Sequence, residues 1–146
     1  MEVTLRPIEP GELAALHRLW EEAGLPHEPE GRDTLAELER QRARDADLWL
    51  GAYLADRLVG SVVGTDDGRK GWINRLAVHP ELRRTGLARR LVEACEAAFR
   101  ARGRIIVTAL VEHQNEASLA FFEEAGYQLR RDVLYLRKAW GPAGTC

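Results

Sequence analysis

The sequence predicts an α/β fold with a mixed, mostly antiparallel central sheet and flanking helices, on three observations. Two β-patterned runs, 48–54 and 58–65, are separated only by a short polar turn at Asp56-Arg57. A third run at 72–78 follows the turn Asp66-Asp67-Gly68-Arg69-Lys70-Gly71, which makes an antiparallel meander. A helical apolar pattern, Leu87, Leu91, Val92, Cys95, Ala98 and Phe99, lies between the strand run 72–78 and a second strand run at 105–111. A strand–helix–strand order calls for a parallel pair joined by a right-handed crossover. The chain's 146 residues, 45% hydrophobic and 30% charged, supply one domain's worth of core, assigned to residues 1–140, with 141–146 as a frayed tail.

The remaining elements follow in chain order. Residues 3–8 read as a short strand, ended by Pro10 and Gly11. Over 12–23, Leu13, Leu16, Leu19 and Trp20 share one helical face, and Gly24 stops the helix. After the polar break at 26–31, Asp33 or Thr34 caps a second helix reaching about Ala46, with Leu35 and Leu38 as its thin apolar edge. Pro80 closes the strand at 72–78. Gly103 sits where the helix 86–102 should terminate. The near-unbroken apolar run 105–111 suggests a central strand buried on both faces. A helix over 115–125 ends at Gly126, and 133–136 is expected to form a last strand.

The densest signal is Leu76-Ala77-Val78-His79-Pro80-Glu81-Leu82-Arg83-Arg84-Thr85-Gly86-Leu87-Ala88: strand, proline break, polar loop, helix start. The first N–H groups of a helix lack partners, and the dipole is positive there. Arg83 and Arg84 add charge suited to phosphate oxygens. Gly86 lets backbone approach a ligand with no Cβ between them. This arrangement suits a pyrophosphate held beside a strand end.

Composition excludes several classes. A formal net charge of −2 gives no general affinity for nucleic acid. No apolar run approaches the ~20 residues needed to cross a bilayer. The N-terminus carries no secretory stretch, so a cytoplasmic location and no membrane partner are expected. Cys95 and Cys146 have no metal-ligand spacing, and none of the four histidines has a partner at useful spacing, so no metal is expected. Cys95 reads as a small buried apolar residue.

These residues carry a family likeness. The chain resembles the GNAT superfamily of acetyl-coenzyme A-dependent N-acetyltransferases over nearly its whole length. Its Arg83-Arg84-Thr85-Gly86-Leu87-Ala88, after Leu76-Ala77-Val78-His79-Pro80-Glu81, is similar to the family's pyrophosphate loop. The stretch from Asn115-Glu116-Ala117 through Phe122 to Ala125-Gly126-Tyr127 resembles its late helix, and Arg6-Pro7 resembles its opening. The resemblance implies acetyl-CoA as co-substrate and a parallel strand pair that splays to admit pantetheine. It implies that main-chain groups of Leu76, Ala77 and Val78 pair with that arm, and that Arg83, Arg84, Thr85, Gly86, Leu87 and Ala88 hold the diphosphate. Asn115 and Phe122 complete the cofactor site, and the Leu76 N–H faces the thioester carbonyl as oxyanion donor. It also implies a small-molecule or peptide amine as acceptor.

The chain departs from the family pattern at the proton-transfer positions. Trp72 and Asn74 stand where many relatives carry a carboxylate, and are assigned instead to lining the acceptor site. Phe122 stands where many carry an acidic tyrosine. Glu112 and His113, just after the strand run 105–111, are the candidate bases. The expected function is N-acetyl transfer to a primary amine by direct attack in a ternary complex. The alternative is an acyl-CoA-binding sensor with little turnover. The short stretch 128–140 leaves room for only part of the family's usual closing hairpin, which allows an open acceptor side or completion by a second copy in a homodimer.

Overall fold

The apolar runs pair as a meander. In the computed structural model, which describes residues 2–141, β1 (Val3–Pro7), β2 (Trp49–Leu54), β3 (Arg57–Asp66) and β4 (Gly71–Val78) are successive antiparallel neighbours, and β5 (Val107–Ala109) joins β4 in parallel. The mixed sheet is therefore as expected. The helices are α1 (Leu13–Ala23), α2 (Leu35–Arg44), α3 (Leu87–Ala101) and α4 (Glu116–Glu124).

The caps explain where each helix stops and starts. Gly24 ends α1 in the left-handed region at φ 74°. Thr34, not Asp33, caps α2: its Oγ1 accepts from the Glu37 N–H at 3.2 Å. Gly103, at φ 86°, follows α3. The sheet is covered on both faces. Trp20 of α1 donates its indole N–H to Ser61 Oγ on β3, and the adjacent Gly60 faces Leu87 and Leu91 of α3. Glycine is required at Gly71, where a Cβ would sit 2.5 Å from the Phe99 ring. Trp20, Trp49, Phe99, Leu16 and Leu91 form the fully buried centre.

The chain divides into two compact units, one ending at Leu110 and one beginning at Val111. The first holds the whole sheet with α1, α2 and α3. The second holds α4.

Two expectations are corrected. The strand run 105–111 shrinks to three residues, and β5 is an edge strand instead of a central one. Its ladder reaches only Gly71–Ile73 of β4 and stops there, although β4 itself runs on to Val78. Residues 133–136 form no strand. Val133, Leu134, Tyr135 and Leu136 are all exposed, because an extended segment is stabilised only by a neighbouring ladder, and the second unit contains no other strand among the described residues. The tail assigned to 141–146 lies outside the described residues except for Gly141.

Candidate active site

The end of β4 carries two unusual backbone features. The first is an open strand edge. The His79 N–H donates to the Val59 carbonyl at 2.8 Å, which sets the phase of the β3–β4 ladder. In an antiparallel pair the bonding direction alternates by residue. Ala77, opposite Ser61, therefore spends its main-chain groups on β3, whereas Leu76 and Val78 turn theirs to the opposite edge. On that edge β5 pairs only with residues 71–73, so the N–H and C=O groups of Leu76 and Val78 have no strand partner among the described residues.

The second feature is the bare N-terminus of α3. A 3₁₀ turn at Pro80–Leu82 ends β4's exit, capped by His79 Nδ1, which accepts from the Glu81 N–H. Thr85 Oγ1 donates to the Leu82 carbonyl, which fixes the loop. Arg84 and Gly86 both take left-handed backbone, at φ 64° and 82°. For Arg84 this conformation costs roughly 1 kcal/mol, and such strain recurs where a ligand is gripped. Gly86 is the N-cap of α3 and contributes no side chain to the first N–H groups of the helix, those of Leu87 and Ala88. A Cβ built on Gly86 meets nothing within 4 Å, so the space beside the N-cap is open. Arg83 is partly spent, donating to the Ala23 carbonyl at 3.0 Å. The chemistry of this donor set suits an anion: unpaired amides, helix dipole and arginine charge at one point.

A cavity of about 310 Å³ lies against the same strand, within the first unit. Trp20, Asp33, Leu38 and Trp49 line it together with Asn74 and Arg75 of β4; Arg32, Gln41 and Val63 complete the wall. Asp33 and Arg75 form a bidentate pair, with both N–O distances 2.9 Å, and the Arg75 guanidinium stacks 4.6 Å over the Trp20 ring. Burial pushes the Asp33 carboxyl up, but the bonds from Arg75 and the Glu28 N–H, with the nearby guanidinium charge, outweigh it and hold the group below the usual carboxylate range. Asn74 lines the cavity and donates to Thr65 Oγ1 at 2.8 Å. Trp72 is not in the lining; its indole N–H donates to Asp67 Oδ2 in the preceding turn. The Trp49 indole N–H is buried and has no acceptor among the described residues.

The remaining predicted residues lie in the second unit. Asn115 caps α4, its Oδ1 accepting from the Ser118 N–H at 3.1 Å. Phe122 is buried, edge-on to Phe121 and Tyr127 with both ring centroids at 5.1 Å. Glu112 Oε2 accepts from the Gln114 amide at 2.9 Å, and His113 is exposed. Cys95 is fully buried on α3 in the first unit, and burial pushes its thiol up to about 12. Among the described residues no group of side chains could hold a metal ion, and no helix is long and apolar enough to cross a membrane.

Sequence reasoning missed the cavity wall. Asp33 and Arg75 are 42 residues apart, and no local pattern connects them. The one available signal was Arg75 itself, a cation inside the apolar run 72–78 that needs a partner when packed against α1.

Residues 13–127 match the profile of the Acetyltransferase (GNAT) family. The chain belongs to the GNAT acetyltransferase family. Its relatives include an acetyltransferase, SG1711, of Sodalis glossinidius (strain morsitans), 35% identical over 106 residues that cover 73% of this chain and 75% of the relative. Another, plu1384 of Photorhabdus laumondii, is 34% identical over 112 residues, or 77% of each chain. Among solved structures, the PaiA N-acetyltransferase from Thermoplasma acidophilum in complex with coenzyme A superposes with a TM-score of 0.79 at 19% identity. It covers 89% of this chain and 92% of the other. The acetyltransferase AAC(6')-Iy, in complex with a bisubstrate analogue, gives 0.80 at 18% identity, covering 95% and 99%. At these identities the structural neighbours share the GNAT fold. The protein is a GNAT-type acetyltransferase by its family profile and its named relatives.

Proposed function

We propose that this acetyltransferase moves acetyl from acetyl-CoA to a primary amine by direct attack in a ternary complex, with residues 1–140 working as one catalytic domain. The open strand edge at Leu76 and Val78, ten and eight residues before the α3 N-cap Gly86, carries the reading. Amides from Arg84 to Ala88 hold the diphosphate, and Arg83 and Arg84 offset its charge. Leu76 and Val78 bond the pantetheine arm as an added strand would; Ala77, whose main-chain groups face Ser61, contributes contact alone. Asn115 caps the late helix and completes the cofactor site as the family resemblance implies.

Acetyl-CoA supplies the thioester: the amine N–C bond forms, the C–S bond breaks, and the amine proton passes ultimately to the thiolate. The Leu76 N–H donates to the carbonyl oxygen as charge grows there. A donor in this role contributes about 3 kcal/mol when tested by removal. Holding both reactants on one strand supplies much of the remaining acceleration. Glu112 and His113 are the candidate bases, since the cavity's one carboxylate, Asp33, is engaged with Arg75. Trp72 and Asn74 stand on the acceptor side of β4. Cys95 takes no acetyl, because its thiol is buried and protonated.

The second reading, an acyl-CoA sensor with little turnover, is favoured by Phe122, which has no proton to give and is packed against Phe121 and Tyr127. Thiol release from acetyl-CoA across a panel of primary amines separates the two. Turnover that disappears in Gly86→Glu supports the enzyme. Tight coenzyme A binding with no turnover on any amine supports the sensor.

A further inference from the structure

We infer that His79 is a positioning residue for the coenzyme site: its imidazole holds the turn that keeps the open β4 edge and the start of α3 at the spacing coenzyme A needs. The inference rests on the acetyltransferase reading, which places pantetheine on Leu76 and Val78 and the diphosphate at the α3 amides. His79 stands between these two halves, one residue after Val78 and seven before the N-cap Gly86.

Every polar group of His79 is spent on this junction. Its N–H donates to the Val59 carbonyl at 2.8 Å, and its carbonyl accepts from the Leu82 N–H at 2.8 Å. Pro80, the first residue of the turn, has no N–H, so the first donor to satisfy is that of Glu81. The side chain takes it: His79 Nδ1 accepts from the Glu81 N–H at 3.1 Å. This bond fixes the tautomer. An accepting Nδ1 carries no proton, so the ring proton sits on Nε2 and is donated to Glu22 Oε2 at 3.1 Å. Arg57 Nη2 lies 3.0 Å from the same Nε2, and its charge is offset by the Glu22 and Glu81 carboxylates at 3.9 and 3.7 Å. His79 is 7% exposed, so water is a poor substitute for these partners.

Two ties therefore run from the turn to the C-terminal end of α1: Nε2–H to Glu22, and Arg83 Nη2 to the Ala23 carbonyl at 3.0 Å. They matter because the loop beyond is strained, with Arg84 in left-handed backbone at φ 64°. Without the cap the loop populates other conformers, and apparent affinity falls with the competent fraction.

Asparagine and glutamine at this position separate the cap from the rest of the side chain. In His79→Asn the amide Oδ1 stands near the place of Nδ1 and takes the Glu81 N–H. In His79→Gln the longer side chain reaches toward Glu22 and gives up the cap. Both are titrated calorimetrically with coenzyme A, assayed for thiol release from acetyl-CoA with an amine the wild type accepts, and followed by amide hydrogen exchange. His79→Gln is expected to bind coenzyme A about fivefold more weakly, the value of one N-cap bond. Its KM for acetyl-CoA rises equally, its kcat and amine KM stay within twofold, and Glu81 loses exchange protection. His79→Asn stays within twofold of the wild type throughout. A role in filling space or binding Glu22 alone would reverse that order, since glutamine is the closer match in size and reach. Glu22→Ala removes the tautomer's anchor at a half-exposed side chain and should weaken coenzyme A binding about threefold. Binding within twofold of the wild type in folded His79→Gln, or equal losses in both His79 variants, overturns the inference and leaves the acetyltransferase reading intact. If His79→Gln does not fold, unchanged affinity in Glu22→Ala overturns it likewise. A wild type that binds coenzyme A but releases no thiol sinks the transferase reading alone, and calorimetry still decides the part played by His79. A wild type that gives neither heat nor thiol overturns both.

Discussion

Replacing Gly86 with alanine tests the diphosphate cradle with one methyl group. The structure separates its two consequences. Gly86 has φ 82°, and an added Cβ touches nothing within 4 Å, so the folded chain suffers only the left-handed penalty. That is roughly 1 kcal/mol. A chain of this length unfolds with about 0.3 kcal/mol/K of entropy, so the melting temperature should fall by ~3 °C. The same methyl stands at the N-cap, next to the first amides of α3, those of Leu87 and Ala88. Losing one charge-assisted bond there costs about 1.5–3 kcal/mol, or roughly 10–100-fold in affinity. Thermal scans without ligand, calorimetric titration with coenzyme A and thiol release from acetyl-CoA read the two effects independently. The expected result is a Tm lowered by only ~3 °C with at least about tenfold weaker coenzyme A binding. A folded variant that binds coenzyme A within twofold of the wild type would refute the placing of the diphosphate at this helix.

Other perturbations bear on the rest of the molecule. Asp33→Asn leaves the partly buried Arg75 without its counter-charge and should cost about 3 kcal/mol, a fall in Tm of ~10 °C by thermal denaturation; a fall under about 2 °C would show the pair to be dispensable. The Glu12 carboxyl, bonded by Arg6, the Glu9 N–H and Tyr53, is lowered to about 2. A depressed carboxylate stabilises above its unfolded pKa, near 4.5, and loses that contribution as pH falls toward 2. Glu12→Gln should therefore melt below the wild type at pH 7, and the two curves should converge as the pH approaches 2. Cys95→Ala should lower stability by about 1 kcal/mol through the small void it leaves and leave kcat within twofold; loss of turnover in a folded variant would point to a thiol-borne acetyl group.

Much of the fold was legible because its signals are local. The meander follows from alternation and two polar turns, and α1, α2 and α3 follow from apolar spacing and their caps. The start of α3 after the loop 83–88 was legible because Gly86 precedes an apolar helical pattern whatever surrounds it. Reading failed where stability depends on a neighbour. Residues 105–111 have the apolar content of a central strand, yet only Val107–Ala109 find a ladder, on one side. Residues 133–136 have strand composition and no partner. The capping choice between Asp33 and Thr34 was also open until tertiary structure gave Asp33 to Arg75.

The sequence by itself determined the family and the order of elements from β1 to α4, because each rests on contiguous residues whose spacing and backbone preferences act locally. Only the tertiary structure decided which main-chain groups of β4 stay unpaired, since that depends on the phase of the β3–β4 ladder and on how early β5 stops. It also decided the character of the cavity. Asp33, Trp49 and Arg75 come from three separate segments, and only their burial together spends the carboxylate and leaves an indole N–H without an acceptor.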